Sequence, residues 1–117
     1  MLRIPYIVGV KERDWETGQI RKLDIIGSNQ IKQGQPILLV DDILSRGSTI
    51  YESSVQLKCC GAGDIYVYVS HCENTVLWPH INGRSLLDVP NLITKIFTTN
   101  SIYTGNHPKI DVVYKFE

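Results

Sequence analysis

The stretch Ile37 to Ile50, ILLVDDILSRGSTI, constrains the fold more than any other part of this chain. Ile37, Leu38, Leu39 and Val40 form an apolar run without polar alternation, the pattern of a strand buried on both faces of a parallel sheet. Asp41 and Asp42 follow where such a strand is expected to leave the core. Ser45-Arg46-Gly47-Ser48-Thr49 is short, rich in hydroxyls and pivots on a glycine, and a helical pattern begins after it. The backbone N–H groups of such a loop, with a helix N-terminus behind them, can hold a phosphate. Two carboxylates alongside can accept hydrogen bonds from hydroxyls or face a metal. The sequence therefore predicts a site for a phosphorylated polyol. The plainer reading, an Asp-Asp turn with Ser48 or Thr49 as helix N-cap, needs neither the second Asp nor a loop of this size.

Composition narrows the class. The chain has 117 residues, 43% hydrophobic and 21% charged, with a formal net charge of zero. That is the size and balance of one soluble globular domain, and it favours neither nucleic acid nor an anionic membrane as partner. No apolar run approaches a membrane span, and the N-terminus lacks the layout of a signal peptide. Cys59, Cys60 and Cys72 are an odd set with two adjacent members, a poor disulfide framework that suggests a reducing cytoplasm. With His71 they match no zinc-knuckle spacing, so buried free thiols are expected and no firm metal site.

Taken in order, Ile4 to Val10 (IPYIVGV) reads as a buried strand. Lys11 to Gly18 is charged and aperiodic, a mobile loop or long hairpin tip closed by Thr17-Gly18. In it, Trp15 is either a lid contact or a partly covered aromatic. Gln19 to Gly27 looks like a returning strand, and Ser28 to Gln35 a connection. Ile50 to Cys60 has helical spacing, with Ile50, Ser53, Ser54, Leu57 and Cys60 inward, and Gly61-Ala62-Gly63 ends it. Asp64 to Ser70 (DIYVYVS) alternates like a strand, which makes it a parallel neighbour of the Ile37 strand. His71 would lie just past its end, on the carboxyl edge where open α/β sheets bind ligands. There it either lines the site, with Glu73 and Asn74 behind it, or organises the loop by hydrogen bonds. Asn74 to Leu87 is broken by Pro79 and Gly83 into two helical pieces. Strands are expected again at Leu92 to Thr98 and Ile110 to Phe116. No internal repeat or linker is present.

The segment DDILSRGST resembles the phosphoribosyl-diphosphate (PRPP) binding motif of type I phosphoribosyltransferases and of ribose-phosphate pyrophosphokinases (PRPP synthetases). The resemblance implies that Asp41 and Asp42 contact the ribose hydroxyls and that Ser45, Arg46, Gly47, Ser48 and Thr49 wrap the 5-phosphate. Lys11-Glu12-Arg13 is similar to the Lys-x-Arg pattern of that family's catalytic loop, which would make Lys11 and Arg13 catalytic cations. Mobile cations of this kind stabilise charge spread over a transferring phosphoryl group. Thr99-Asn100-Ser101-Ile102 resembles a run near the family's nucleotide and ribose region, which adds Thr99 and Asn100 to His71 as site-lining residues. SHCENT resembles the short enzymes of some phages and bacteria, and DDILSRGST and KERDWETGQI look closer to that branch than to the common long enzymes. Ser45-Arg46 stands where the long enzymes commonly have Asp-Thr, and Ser48 where Gly is frequent.

The resemblance runs from about Pro5 to Phe116 and matches only the family's C-terminal part. It implies an α/β fold: one phosphoribosyltransferase-like domain over residues 1–117, a mainly parallel sheet flanked by helices and truncated at the N-terminus. It also implies ribose 5-phosphate and PRPP as ligands, Mg²⁺ with the substrate phosphates, and ATP if an N-terminal domain completes the site. A homo-oligomer or a partner subunit would be the working form, in the cytoplasm. Two alternatives stay open: a stand-alone phosphoribosyltransferase of nucleotide salvage, and a non-catalytic domain for sugar-phosphate binding or assembly.

Overall fold

A computed structural model of the chain describes residues 8–13, 20–26 and 31–116, the first two segments by backbone alone. β1 (Val8–Arg13) and β2 (Ile20–Ile26) pair antiparallel, with Lys11 opposite Leu23 and Arg13 opposite Ile20. Lys11 to Arg13 thus belong to a strand of an antiparallel pair, where a mobile loop or a hairpin tip is expected from the sequence. The antiparallel ladder carries on through Lys11 and Glu12, and its register shifts only between Glu12 and Arg13. Residues 4–7 of the expected first strand, the segment 14–19 with Trp15, and residues 27–30 lie outside the described residues.

The remaining strands, β3 (Ile37–Leu44), β4 (Ile65–Cys72), β5 (Lys95–Thr99) and β6 (Ile110–Tyr114), form a sheet in that order. Every neighbouring pair is parallel. Helix α1 (Ser48–Cys59) connects β3 to β4. Two 3-10 turns, Asn74–Leu77 and Leu86–Asp88, interrupt the passage from β4 to β5. These turns replace the helical pieces expected there, because Pro79 and Gly83 leave too little uninterrupted chain for an α-helix.

The core lies on one face of the sheet. Ile50, Ser54 and Leu57 of α1 are buried against Ile65, Val67 and Val69 of β4 and Ile96 of β5. Val76, Ile81, Leu86, Leu87, Leu92 and Ile93 from the β4–β5 passage complete it. From Ile65 to Ser70 the alternation in β4 is strict: Ile65, Val67 and Val69 are buried, while Tyr66, Tyr68 and Ser70 are half-buried. On the opposite face the Tyr66 and Phe97 rings stack at 6.2 Å, and Lys95 pairs with Asp111 at 2.8 Å. β3 departs from its expected burial. Leu38 is 58% and Val40 70% exposed, because no described element covers their face of β3 and only the other face, with Ile37 and Leu39, meets the core.

The ends of α1 fix its place. At the C-terminus Gly61, at φ 94°, donates to the Lys58 carbonyl, and Ala62 donates to the Leu57 carbonyl, a Schellman closure. Cys59 in the last turn and Cys60 at the C-cap are exposed and not buried as expected; only Cys72 is enclosed. The N-cap is Gly47 at φ 91°, in place of Ser48 or Thr49, and its carbonyl accepts the Tyr51 N–H at 2.7 Å. A Cβ at Gly47 would lie 2.9 Å from Leu86 Cδ2. Both the backbone angle and the contact exclude a side chain there.

Gly47→Ala is expected to lower the unfolding free energy in urea by about 1–3 kcal/mol, from left-handed strain plus the clash. Gly83→Ala, at φ 79° with nothing within 4 Å of a Cβ, is the control. It should show the strain alone, about 1 kcal/mol.

Candidate functional site

Parallel pairing brings the carboxyl ends of β3, β4 and β5 to one edge. Ile43 pairs with His71 and Leu44 with Cys72, and the Glu73 N–H donates to the Leu44 carbonyl at 2.8 Å. The segments leaving β3 (Ser45 to Gly47), β4 (Glu73 to Thr75) and β5 (Asn100, Ser101) therefore start from the same edge.

Asp41 and Asp42 lie within β3 and do not follow it, because the ladder continues to Leu44. Asp41 holds its register opposite Val69 and is half-buried; Asp42 is exposed, and its N–H donates to Asp41 Oδ1 at 2.8 Å. One carboxylate is thus partly fixed, while the other faces water. In the loop, Gly47 is buried, Ser45 and Thr49 are half-buried, and Arg46 and Ser48 are exposed. Among the described residues, nothing accepts a hydrogen bond from the N–H groups of Arg46, Gly47 or Ser48. No acidic residue stands in the first turn of α1. Unpaired N–H groups at the start of a helix attract an anion through their partial positive charge.

His71 lies inside β4, one residue before its end, where it was expected just past the strand. Its Nδ1 is 2.7 Å from Ser101 Oγ. Thr99 Oγ1 donates to the Ser70 carbonyl at 2.6 Å, so its proton is used within the sheet edge. Asn100 clasps the chain near its end: its Oδ1 accepts the Phe116 N–H at 2.6 Å and its Nδ2 donates to the Phe116 carbonyl at 3.3 Å. Asn74 makes a similar clasp with Thr104, Nδ2 to Oγ1 at 2.7 Å and Oδ1 from the N–H at 3.0 Å. Thr75 and Thr104 were not singled out from the sequence, since only the parallel register brings them to this edge. Lys11 and Arg13 are placed on β1 by backbone alone, and their side chains lie outside what is described.

Beneath the edge, Cys72 is fully buried. Burial first, and the Glu73 carboxylate second, push its thiol up to about 11. The Tyr103 phenol is also raised, by burial and then by Cys72.

No family model matches the sequence, and no curated protein matches it. Among solved structures, the chain is similar to phosphoribosylpyrophosphate synthetase from Mycobacterium smegmatis, with a TM-score of 0.62 and 21% identity. The likeness covers 80% of this chain and 30% of that enzyme's chain. It shows the fold alone: an α/β domain whose parallel sheet is arranged like part of that enzyme. No helix among the described residues is long and apolar enough to cross a membrane.

The Cys72 thiol gives a pH signature. Its ordinary value is 9.0 and its folded value about 11, so between the two the unfolded chain releases a proton that the folded chain keeps. Stability should be full below pH 9 and fall by about 2–3 kcal/mol as pH rises to 11. Denaturant melts across that range check it, and Cys72→Ala should shrink the loss to the part due to Tyr103.

Proposed function

We propose that this chain is the ribose 5-phosphate and PRPP binding domain of a ribose-phosphate pyrophosphokinase. The observation that supports it most is the setting of DDILSRGST. Its carboxylates lie near the end of a parallel-sheet strand, Asp42 two residues before its last, and its loop opens a helix with no described residue accepting from the N–H groups of Arg46, Gly47 or Ser48. The likeness in fold to a PRPP synthetase agrees with this.

In this reading Asp41 and Asp42 orient the ribose through its hydroxyls, and the loop from Ser45 to Thr49 receives the 5-phosphate. Lys11 and Arg13 stabilise the group in transfer. The ribose 1-hydroxyl would attack the β-phosphorus of ATP to give PRPP and AMP, with positioning and electrostatics supplying most of the catalysis. ATP enters only where a further domain completes the site. No group of three or more metal-ligating side chains converges among the described residues. One of the two carboxylates, Asp41 or Asp42, would hold a magnesium ion that arrives on substrate phosphates and keeps most of its waters, since successive side chains of a strand point to opposite faces. Such an ion would neutralise phosphate charge.

Because the likeness spans 30% of the synthetase, a domain that binds the sugar phosphate without turning it over is the second reading. Calorimetric titration with ribose 5-phosphate, with and without Mg²⁺, tests the site common to both. Saturable binding is expected, weakened at least tenfold, on the order of 1.4 kcal/mol, by Asp41→Asn with Asp42→Asn. Unchanged affinity in that double variant, or no binding at millimolar ligand, overturns the assignment. PRPP formation from ATP in the presence of a completing ATP-binding domain then separates the two readings.

A further inference from the structure

The first hydroxyl of the phosphate loop is already engaged. Ser45 Oγ donates to Glu73 Oε2 at 2.8 Å. Thr75 Oγ1 donates to the same oxygen at 3.4 Å and lies 3.3 Å from Ser45 Oγ. The Glu73 N–H donates to the carbonyl of Leu44, the residue just before the loop. Glu73 thus holds two successive residues at the base of the loop, one by its main chain and one by its side chain.

A hydroxyl has one proton to give. While Ser45 gives it to Glu73, only lone pairs remain on Oγ, and these face any phosphate oxygen unfavourably. We propose that Glu73 is a positioning residue that ties the loop to the end of β4, and that Ser45 is the tethered end of the loop and not a phosphate ligand. This rests on the sugar-phosphate reading of the loop and refines it: the ligand is held by the backbone from Arg46 to Ser48.

The tether has an electrostatic consequence. A carboxylate bonded to the first residue of an anion-binding loop opposes an arriving phosphate, and the low polarity of a half-buried position strengthens the opposition. The hydrogen bond needs an acceptor oxygen at this position, but it does not need the charge. Glutamine supplies the oxygen alone.

Four variants test this: Ser45→Ala, Glu73→Ala, the two combined, and Glu73→Gln. Thermal unfolding without ligand reads the tether. Each single alanine variant should lower the melting temperature, and the combination should melt no lower than the worse single one. Additive losses overturn the tether. Titration with ribose 5-phosphate reads its role: Glu73→Ala should weaken binding about tenfold, while Glu73→Gln binds at least as tightly as the parent chain. A Glu73→Gln variant as weak as Glu73→Ala overturns the proposal, as does Ser45→Ala losing much more affinity than Glu73→Ala. If the parent chain takes up no ribose 5-phosphate, the functional reading fails, and the melting temperatures alone decide whether the tether exists.

Discussion

The hydrogen bond from the Glu73 N–H to the Leu44 carbonyl is the last link between β3 and β4, and the arrangement of the candidate site hangs on it. It keeps the two strand ends level, so that one strand's departing loop stands beside the other's. Each connection then returns the chain to the same edge one strand further along. That is why side chains 28 to 31 residues apart meet there repeatedly: Ser45 with Glu73, His71 with Ser101, Ser101 with the Ser70 carbonyl, Asn74 with Thr104. The edge is built from contacts between connections, with the sheet as their common ruler.

The same geometry explains how the loop is shaped. Gly47 adopts a left-handed angle against the Leu86 side chain, which belongs to the passage between β4 and β5. The loop is therefore gripped from two sides, at its first residue by Glu73 and at its glycine by Leu86. A backbone held in this way keeps its N–H groups in place, the preorganisation that the proposed capture of an anion at a helix start would need.

Much of the architecture was legible in the sequence because the signals were local. The Tyr and Ile/Val alternation of β4, the glycines closing α1 and the order strand, loop, helix, strand each depend on neighbouring residues. Burial was less legible where it depends on neighbours in space. The run from Ile37 to Val40 reads the same for a strand covered on both faces and for one with a face open; what packs on that face decides. Asp41, Asp42 and His71 were placed past their strands because polar residues usually mark strand ends, yet on an exposed edge they are solvated without breaking the ladder. Cys59 and Cys60 follow the same logic, since the last turn of α1 carries them out of the core. The Ser45–Glu73 bond has no sequence signature, because it requires the parallel register.

The open face of β3 also bears on how copies of this chain behave toward one another. Leu38 and Val40 lie in water on an edge strand whose charged neighbours, Asp41 and Asp42, are confined to one end. The chain's formal net charge is zero. Among the described residues the outer edge of β3 is unpaired, an edge with charge at only one end invites pairing with another strand, and a neutral molecule has no long-range repulsion to prevent the approach. Colloidal behaviour should therefore be governed by pH through the isoelectric point near 6.8. Moving away from neutrality lends the strand the repulsion that its own residues do not supply.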